Sequence, residues 1–487
     1  MKKEVFTKSK FMLHEYCCSV IKLGELEPVP GADRLVKATI NGDPVLLGKG
    51  IYNEGDIMIY CPIETQLSYE FLRDNNLFGM SDYELNKDSQ KIKSLLESGN
   101  PEEAKKYCGF FDTRRRVRIL RLRGNLSMGF LFGVDALVRW KPALKGVNLE
   151  MYLGEEFDTV LGDLLINVYI PKTNKKDPKK TRGKGKERKF DNLVVGVLKK
   201  HYETNELKKN LQYIKADDKV TITTKLHGTS IILSNTLCKV TLRVGWKIKP
   251  LRDLANWLIC RFPKLGRTVN KYVLLYSSRN NIRNTFTGIG GEDITPEDSI
   301  YGEWYKIMKP YIPEGRTIYG EVVGFTEKGE KIQPDYDYGC APGKSKLMIY
   351  RVSDKTEAGE SFEWDVCEIQ DLTKKMMQDN PELQDKLLPI EILYHGTFQD
   401  LYPEEFRSPD DIELKENIYT LLEDEKRFGM NELEPGCVNK VPREGIVIRK
   451  DGDPVPEAFK VKGHTFFEWE AKKVDKGETG LEMSDGA

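Results

Sequence analysis

Lys225-Leu226-His227-Gly228-Thr229-Ser230 is the segment of this chain most suited to chemistry. It lies between Val220–Thr224 and Ile231–Leu233, two β-branched runs that read as strands. The lysine therefore stands at a strand end, in a turn where Gly228 lets another group approach the backbone closely. A lysine so placed becomes a nucleophile if burial or neighbouring positive charge lowers its pKa. Taken alone, Lys-x-x-Gly fits an ordinary turn lysine as well. A second reactive pattern lies near the C-terminus, where Lys460 and Lys462 stand two apart in Ala458-Phe459-Lys460-Val461-Lys462. On a strand both point to one face, with Phe459 and Val461 on the other. Two cations aimed at phosphate over an apolar core would look like this, and so would an amphipathic edge strand.

Between these segments stand Ser277-Ser278-Arg279-Asn280, Tyr319-Gly320-Glu321-Val322, Lys346-Leu347-Met348-Ile349-Tyr350 and Glu444-Gly445-Ile446-Val447-Ile448-Arg449. In this order the segments resemble the nucleotidyltransferase motifs of ATP-dependent polynucleotide ligases and capping enzymes. Lys-x-His-Gly-Thr-Ser resembles the RNA-ligase form, since DNA ligases usually place Asp where His227 stands. Leu387–Gly396 and Phe466–Lys472 resemble further RNA-ligase segments. Pro30–Leu35, Gly48–Gly50, Tyr52–Asp56 and Leu122–Gly129 resemble the OB module of the Deinococcus-type branch. Thr224 departs from the pattern, standing where relatives often carry Glu.

The resemblance implies an ATP-dependent RNA ligase that joins 3′-hydroxyl and 5′-phosphate RNA ends, in the manner of RNA repair. Lys225 would form a covalent AMP adduct, and His227 would assist AMP transfer. Gly228, Arg279, Glu321, Tyr350, Lys460 and Lys462 would contact ATP: Arg279 at ribose and phosphate, Glu321 at the ribose hydroxyls, Tyr350 by stacking on adenine. Glu444 would hold hydrated Mg²⁺ or Mn²⁺. The partners implied are ATP and RNA, with a nicked duplex and an RNA/DNA hybrid both open, and neither a membrane nor a protein partner. A DNA ligase and a capping enzyme are set aside because no OB region appears after the catalytic motifs. A non-catalytic RNA-binding protein is set aside because Lys225, Glu321, Glu444, Lys460 and Lys462 are all present.

These residues need elements to position them. Of the 487 residues, 39% are hydrophobic, enough for packed cores. Residues 34–60 alternate short strands with Asn-Gly and Glu-Gly turns. Residues 69–108 are charged, with Ile92, Leu95 and Leu96 at helical spacing, and read as a helical insertion. Arg114, Arg115, Arg116, Arg118, Arg121 and Arg123 follow on one basic strand whose arginines change face. It is either a nucleic-acid groove, with Arg114, Arg116, Arg118, Arg121 and Arg123 on the backbone, or an edge shielded by charge. Residues 171–190 hold ten Lys/Arg and two acids with almost no apolar residue, the composition of a linker.

The expected class is therefore α+β: an N-terminal OB-like β-barrel with a helical insertion (1–170), a basic linker (171–190), and a nucleotidyltransferase (ATP-grasp-like ligase) domain of antiparallel sheets and helices (191–487). A second insertion, 237–270, carries Trp246, Lys247, Lys249, Arg252 and Trp257.

Composition excludes several alternatives. Lys+Arg and Asp+Glu both number 76, which rules out a uniformly basic binder and leaves local basic grooves open. No run approaches a membrane span. The N-terminus lacks the apolar core of a signal peptide, so the expected location is the cytoplasm, or a host's cytoplasm for a viral protein. The nine cysteines include no Cys-x-x-Cys pair, which disfavours zinc and predicts reduced thiols. Gly339–Ser345 imitates a P-loop but is one residue short between its glycines and leads into a strand.

Overall fold

The computed structural model describes residues 5–10, 12–170, 194, 204–279, 296–356, 360–404, 418–419, 421–423, 425–452 and 457–478. The basic linker lies outside the described residues. The chain divides into two compact units: Met1–Lys172 with 208–211 and 416–420, and the remainder.

In the first unit the strands are antiparallel. Leu35–Ile40 and Asp43–Gly48 form a hairpin, its turn made by Asn41 and Gly42 at φ 51° and 82°. Both values suit the tight turn that Asn-Gly specifies. Cys18–Lys22 and Ile57–Cys61 pair at the centre of a four-stranded sheet, and Val20, Ile59 and Phe157 lie in its core. The insertion is helical, with helices at Tyr69–Asp74, Ser89–Glu97 and Pro101–Lys105.

Two expectations are corrected here. Among the described residues the strands do not close into a barrel: they divide among several short sheets. Residues at positive φ, among them Glu64 (63°), Arg115 (58°) and Arg123 (51°), turn the chain out of its ladders. For the same reason the arginine-rich stretch is not one strand. Arg116–Val117 pairs with Thr65–Leu67, whereas Leu120–Leu122 forms a separate hairpin with Asn125–Ser127.

The second unit is built on two sheets. A five-stranded sheet runs Asn205–Glu206, Ala458–Lys462, Gly445–Lys450, Lys219–Lys225, Ile392–Thr397. The other runs Thr268–Ser278, Thr229–Thr241, Arg316–Gly324, Ser345–Lys355, Ser361–Glu363, with Leu387–Leu388 alongside. Nearly all pairs are antiparallel. The second sheet packs with the helix Ile300–Met308, and Trp304, Leu233, Ile318 and Ile349 are fully buried in the shared core. The turn 226–228 carries the chain from one sheet to the other.

Candidate active site

Strand register brings the distant motifs together. Lys225 pairs with Gly445, and Gly445 pairs with Lys462 on its other side. The three residues form one row across the sheet, and the row sets Glu444 between two lysines. Lys225 Nζ lies 2.9 Å from Glu444 Oε1 and Lys462 Nζ lies 3.4 Å from the same oxygen. The central position must be glycine: Gly445 has φ 148°, and a Cβ there would stand 2.0 Å from Val461 O. Lys460 and Lys462 share the partly exposed face while Phe459 and Val461 are buried, the alternation expected from their spacing.

Glu444 is 3% exposed. Burial alone would raise its pKa, but the charges of Lys225 and Lys462 and the nearby His227 outweigh that penalty, holding the carboxyl well below the usual carboxylate range. Its Oε2 has no hydrogen-bond partner among the described residues. His227 Nδ1 stands 3.5 Å from that oxygen, too far for a good bond. A buried carboxylate oxygen with spare acceptor capacity fits a metal-bound water. Among the described residues there is no cluster of three or more acidic, His or Cys ligands, so a cation would be held by this one carboxylate through its hydration shell.

The turn between the sheets is locked from several directions. The Gly228 N–H donates to Glu321 Oε1 at 3.0 Å, and the His227 N–H donates to Tyr338 Oη at 2.7 Å. A Cβ on Gly228 would lie 2.3 Å from Val322 O, so this glycine serves the close approach expected of it. The His227 ring sits edge-on to Tyr336, Phe466 and Trp469, with centroids 4.9, 5.0 and 6.1 Å away.

A cavity of about 290 Å³ opens beside this turn. Its walls include Lys225, His227, Gly228, Arg279, Glu321, Tyr350, Glu444, Lys460 and Lys462, which are all the residues expected to catalyse, bind ATP or bind metal. Tyr350 reaches it through a β-bulge. The register between Arg316–Gly324 and Ser345–Lys355 slips at Tyr319/Gly320, so that Tyr350 is the extra residue between Ile349 and Arg351. A bulge re-aims side chains, so Tyr350 and Arg351 both line the cavity although they are adjacent. The Tyr350 hydroxyl lies 3.0 Å from Ser230 Oγ.

Sequence reasoning missed two groups. Arg351 and Arg449 add cations to the wall, Arg351 in a two-pronged pair with Glu363 (3.0 and 2.7 Å). The aromatic residues around His227 also went unassigned; Phe466 and Trp469 stand three apart on the helix His464–Asp475, a one-face spacing that could have flagged them.

The five arginines assigned to nucleic acid lie in the first unit. Arg116 is buried, paired with Glu64 at 2.5 Å and set over the Tyr169 ring, so it presents no surface to a polynucleotide. Arg114 and Arg118 share Asp112 (2.8 and 3.5 Å). Arg121 and Arg123 are exposed on the small hairpin.

Comparison with known proteins bears on the first unit. A family model described as an OB-fold domain matches residues 17–95. The N-terminal unit carries an OB fold. Across solved structures, the chain is similar to a Naegleria gruberi RNA ligase mutant with AMP and Mn: identity 17%, coverage 93% of this chain and 98% of that one, TM-score 0.47. It is also similar to the Naegleria gruberi RNA ligase with pyrophosphate, at 15% identity, 94% and 100% coverage and TM-score 0.45. No curated protein matches the chain.

Proposed function

We propose that this protein is an ATP-dependent RNA ligase acting through lysyl-AMP. The observation that supports this most strongly is the row Lys225–Gly445–Lys462, which sets two lysines on one buried carboxylate in a cavity that also holds Arg279, Glu321 and Tyr350. Lys225, freed of its proton, attacks the α-phosphorus of ATP. A nitrogen–phosphorus bond forms, the bond to the bridging oxygen breaks, and pyrophosphate leaves. Lys460, Lys462 and Arg279 offset charge on the phosphates, as any nucleotidyl transfer requires. Glu321 accepts from the ribose hydroxyls, and Tyr350 stacks on the base. A hydrated divalent cation on Glu444 would supply further charge neutralisation at the α-phosphate. His227, held by its three aromatic neighbours and Tyr338, is placed to assist when a 5′-phosphate oxygen displaces the lysine and takes AMP. In the last step the 3′-hydroxyl attacks that 5′-phosphorus and AMP leaves.

The OB fold supplies the polynucleotide grip in this reading, through Arg121 and Arg123 rather than Arg116. A ribose at the 3′-hydroxyl terminus is expected to be required, since the 2′-hydroxyl is what separates RNA from DNA. The test is sealing of nicked duplexes whose 3′-hydroxyl strand ends in ribose or in deoxyribose. Preference for the ribose end supports the assignment; equal sealing of both would point to a DNA ligase, and sealing of neither to a non-catalytic RNA binder.

A further inference from the structure

The insertion at 237–270 has no part in the site described above. It extends the hairpin Thr229–Thr241/Thr268–Ser278 and carries a helix, Lys249–Arg261, at its tip. This helix is turned against the usual sense of amphipathicity. The polar Asn256 faces inward and holds the backbone of Val244, accepting from its N–H at 2.8 Å and donating to its carbonyl at 3.3 Å. Ile259 is its one buried residue. Leu251, Leu254 and Trp257, on the opposite face, are 50%, 55% and 58% exposed. Trp246, Ile248 and Phe262, just beyond the ends of the helix, are also more than half exposed. Isolated exposed apolar residues are ordinary, but a contiguous stripe of this size marks an interaction surface.

The charges around the stripe indicate its partner. Residues 243–267 hold seven Lys/Arg and one acid, Asp253. Arg243, Lys247, Lys249, Arg261, Lys264 and Arg267 are exposed. So dense a positive ring opposes docking of a second copy of the chain, whose ring would repel it. Single-stranded RNA would answer the charge, but its bases stack on aromatic rings and leave Ile248, Leu251 and Leu254 without a use. A bilayer with anionic headgroups answers both features: acyl chains take Leu, Ile, Trp and Phe, and headgroups take Lys and Arg. No helix among the described residues is long and apolar enough to cross a membrane, and a helix lying in the interface plane does not need to be. We propose that the helix Lys249–Arg261 and its flanks seat this protein on anionic lipid surfaces, a partner that the lack of a membrane-spanning run had argued against.

The test is flotation of the full chain with vesicles of phosphatidylcholine, with and without phosphatidylglycerol, at low and high salt. The chain floats with the anionic vesicles, and salt weakens the association. The double variant Leu254→Ser/Trp257→Ser partitions at least about tenfold less, from the apolar area it removes. Lys247→Glu/Lys249→Glu/Lys264→Glu loses the preference for anionic over neutral vesicles while keeping the apolar stripe. Because the substituted side chains are exposed, thermal unfolding of both variants matches the wild type. Failure of the wild type to float would overturn the proposal. So would unchanged partitioning of the double variant, a self-association that the double variant abolishes, or a loss of RNA affinity in either variant with vesicle binding intact.

Discussion

Glu444 lies between Lys225 and Lys462, 2.9 Å from one amine and 3.4 Å from the other, although Glu444 and Lys225 stand 219 positions apart in the chain. The buried carboxylate neutralises both lysines, and its Oε2 keeps spare acceptor capacity. Its removal therefore has consequences for stability as well as for chemistry.

Glu444→Gln keeps the shape and removes the charge. The folded-state pKa of Glu444 is depressed from an ordinary 4.5, so its ionic contribution to stability is fully present above that value. It is lost as pH falls toward the folded-state value. At pH 7 the variant is less stable than the wild type by about 3 kcal/mol, the low end for a broken buried pair because both lysines keep some solvent contact. Urea unfolding at pH 7 and pH 3 checks this: the gap narrows at pH 3. A gap that is constant or wider in acid would contradict the sign.

Arg116 and Arg123 separate a structural arginine from the one proposed to face RNA. Arg116→Ala leaves Glu64 without its partner and costs about 2 kcal/mol of stability, visible in denaturant unfolding. Arg123→Ala leaves stability within about 0.5 kcal/mol of wild type. It weakens RNA binding and reduces the salt slope by about one phosphate contact. The reverse pattern in unfolding and RNA titration would return Arg116 to the binding surface.

How much of this was legible in the sequence follows from the range of each interaction. The Lys225 strand end and the facing Lys460/Lys462 pair depend on neighbours a few residues away, and spacing carried them. At Gly228 the glycine was legible but not Val322, whose carbonyl makes the close approach. The Tyr350 bulge, the aromatic surround of His227 and the burial of Arg116 depend on partners tens to hundreds of residues distant. The arginine stretch shows the difference best. Its change of face was visible in the spacing, but the partner Glu64, 52 residues upstream, was not. The open, divided sheets of the first unit were missed for the same reason, since alternation predicts strands but not whether their edges meet.

The cysteines yield a third prediction. All nine are free. Burial pushes the Cys238 thiol up to about 12 and that of Cys17 up to about 11, so both stay protonated at pH 8. Cys260 is exposed. Alkylation requires thiolate and access, so iodoacetamide modifies Cys260 first. Peptide mapping over time reads the order, and modification of Cys238 as fast as Cys260 would place it outside the core.

The central claim is that Lys225 carries AMP covalently. Its most direct test is transfer of label from α-labelled ATP to the denatured protein, with wild type and Lys225→Ala side by side. The wild type takes up label from ATP and not from the corresponding GTP, releases it on adding a 5′-phosphorylated RNA, and Lys225→Ala takes up none. Equal labelling of the variant, or no labelling of a folded wild type with Mg²⁺ or Mn²⁺ present, would contradict the account.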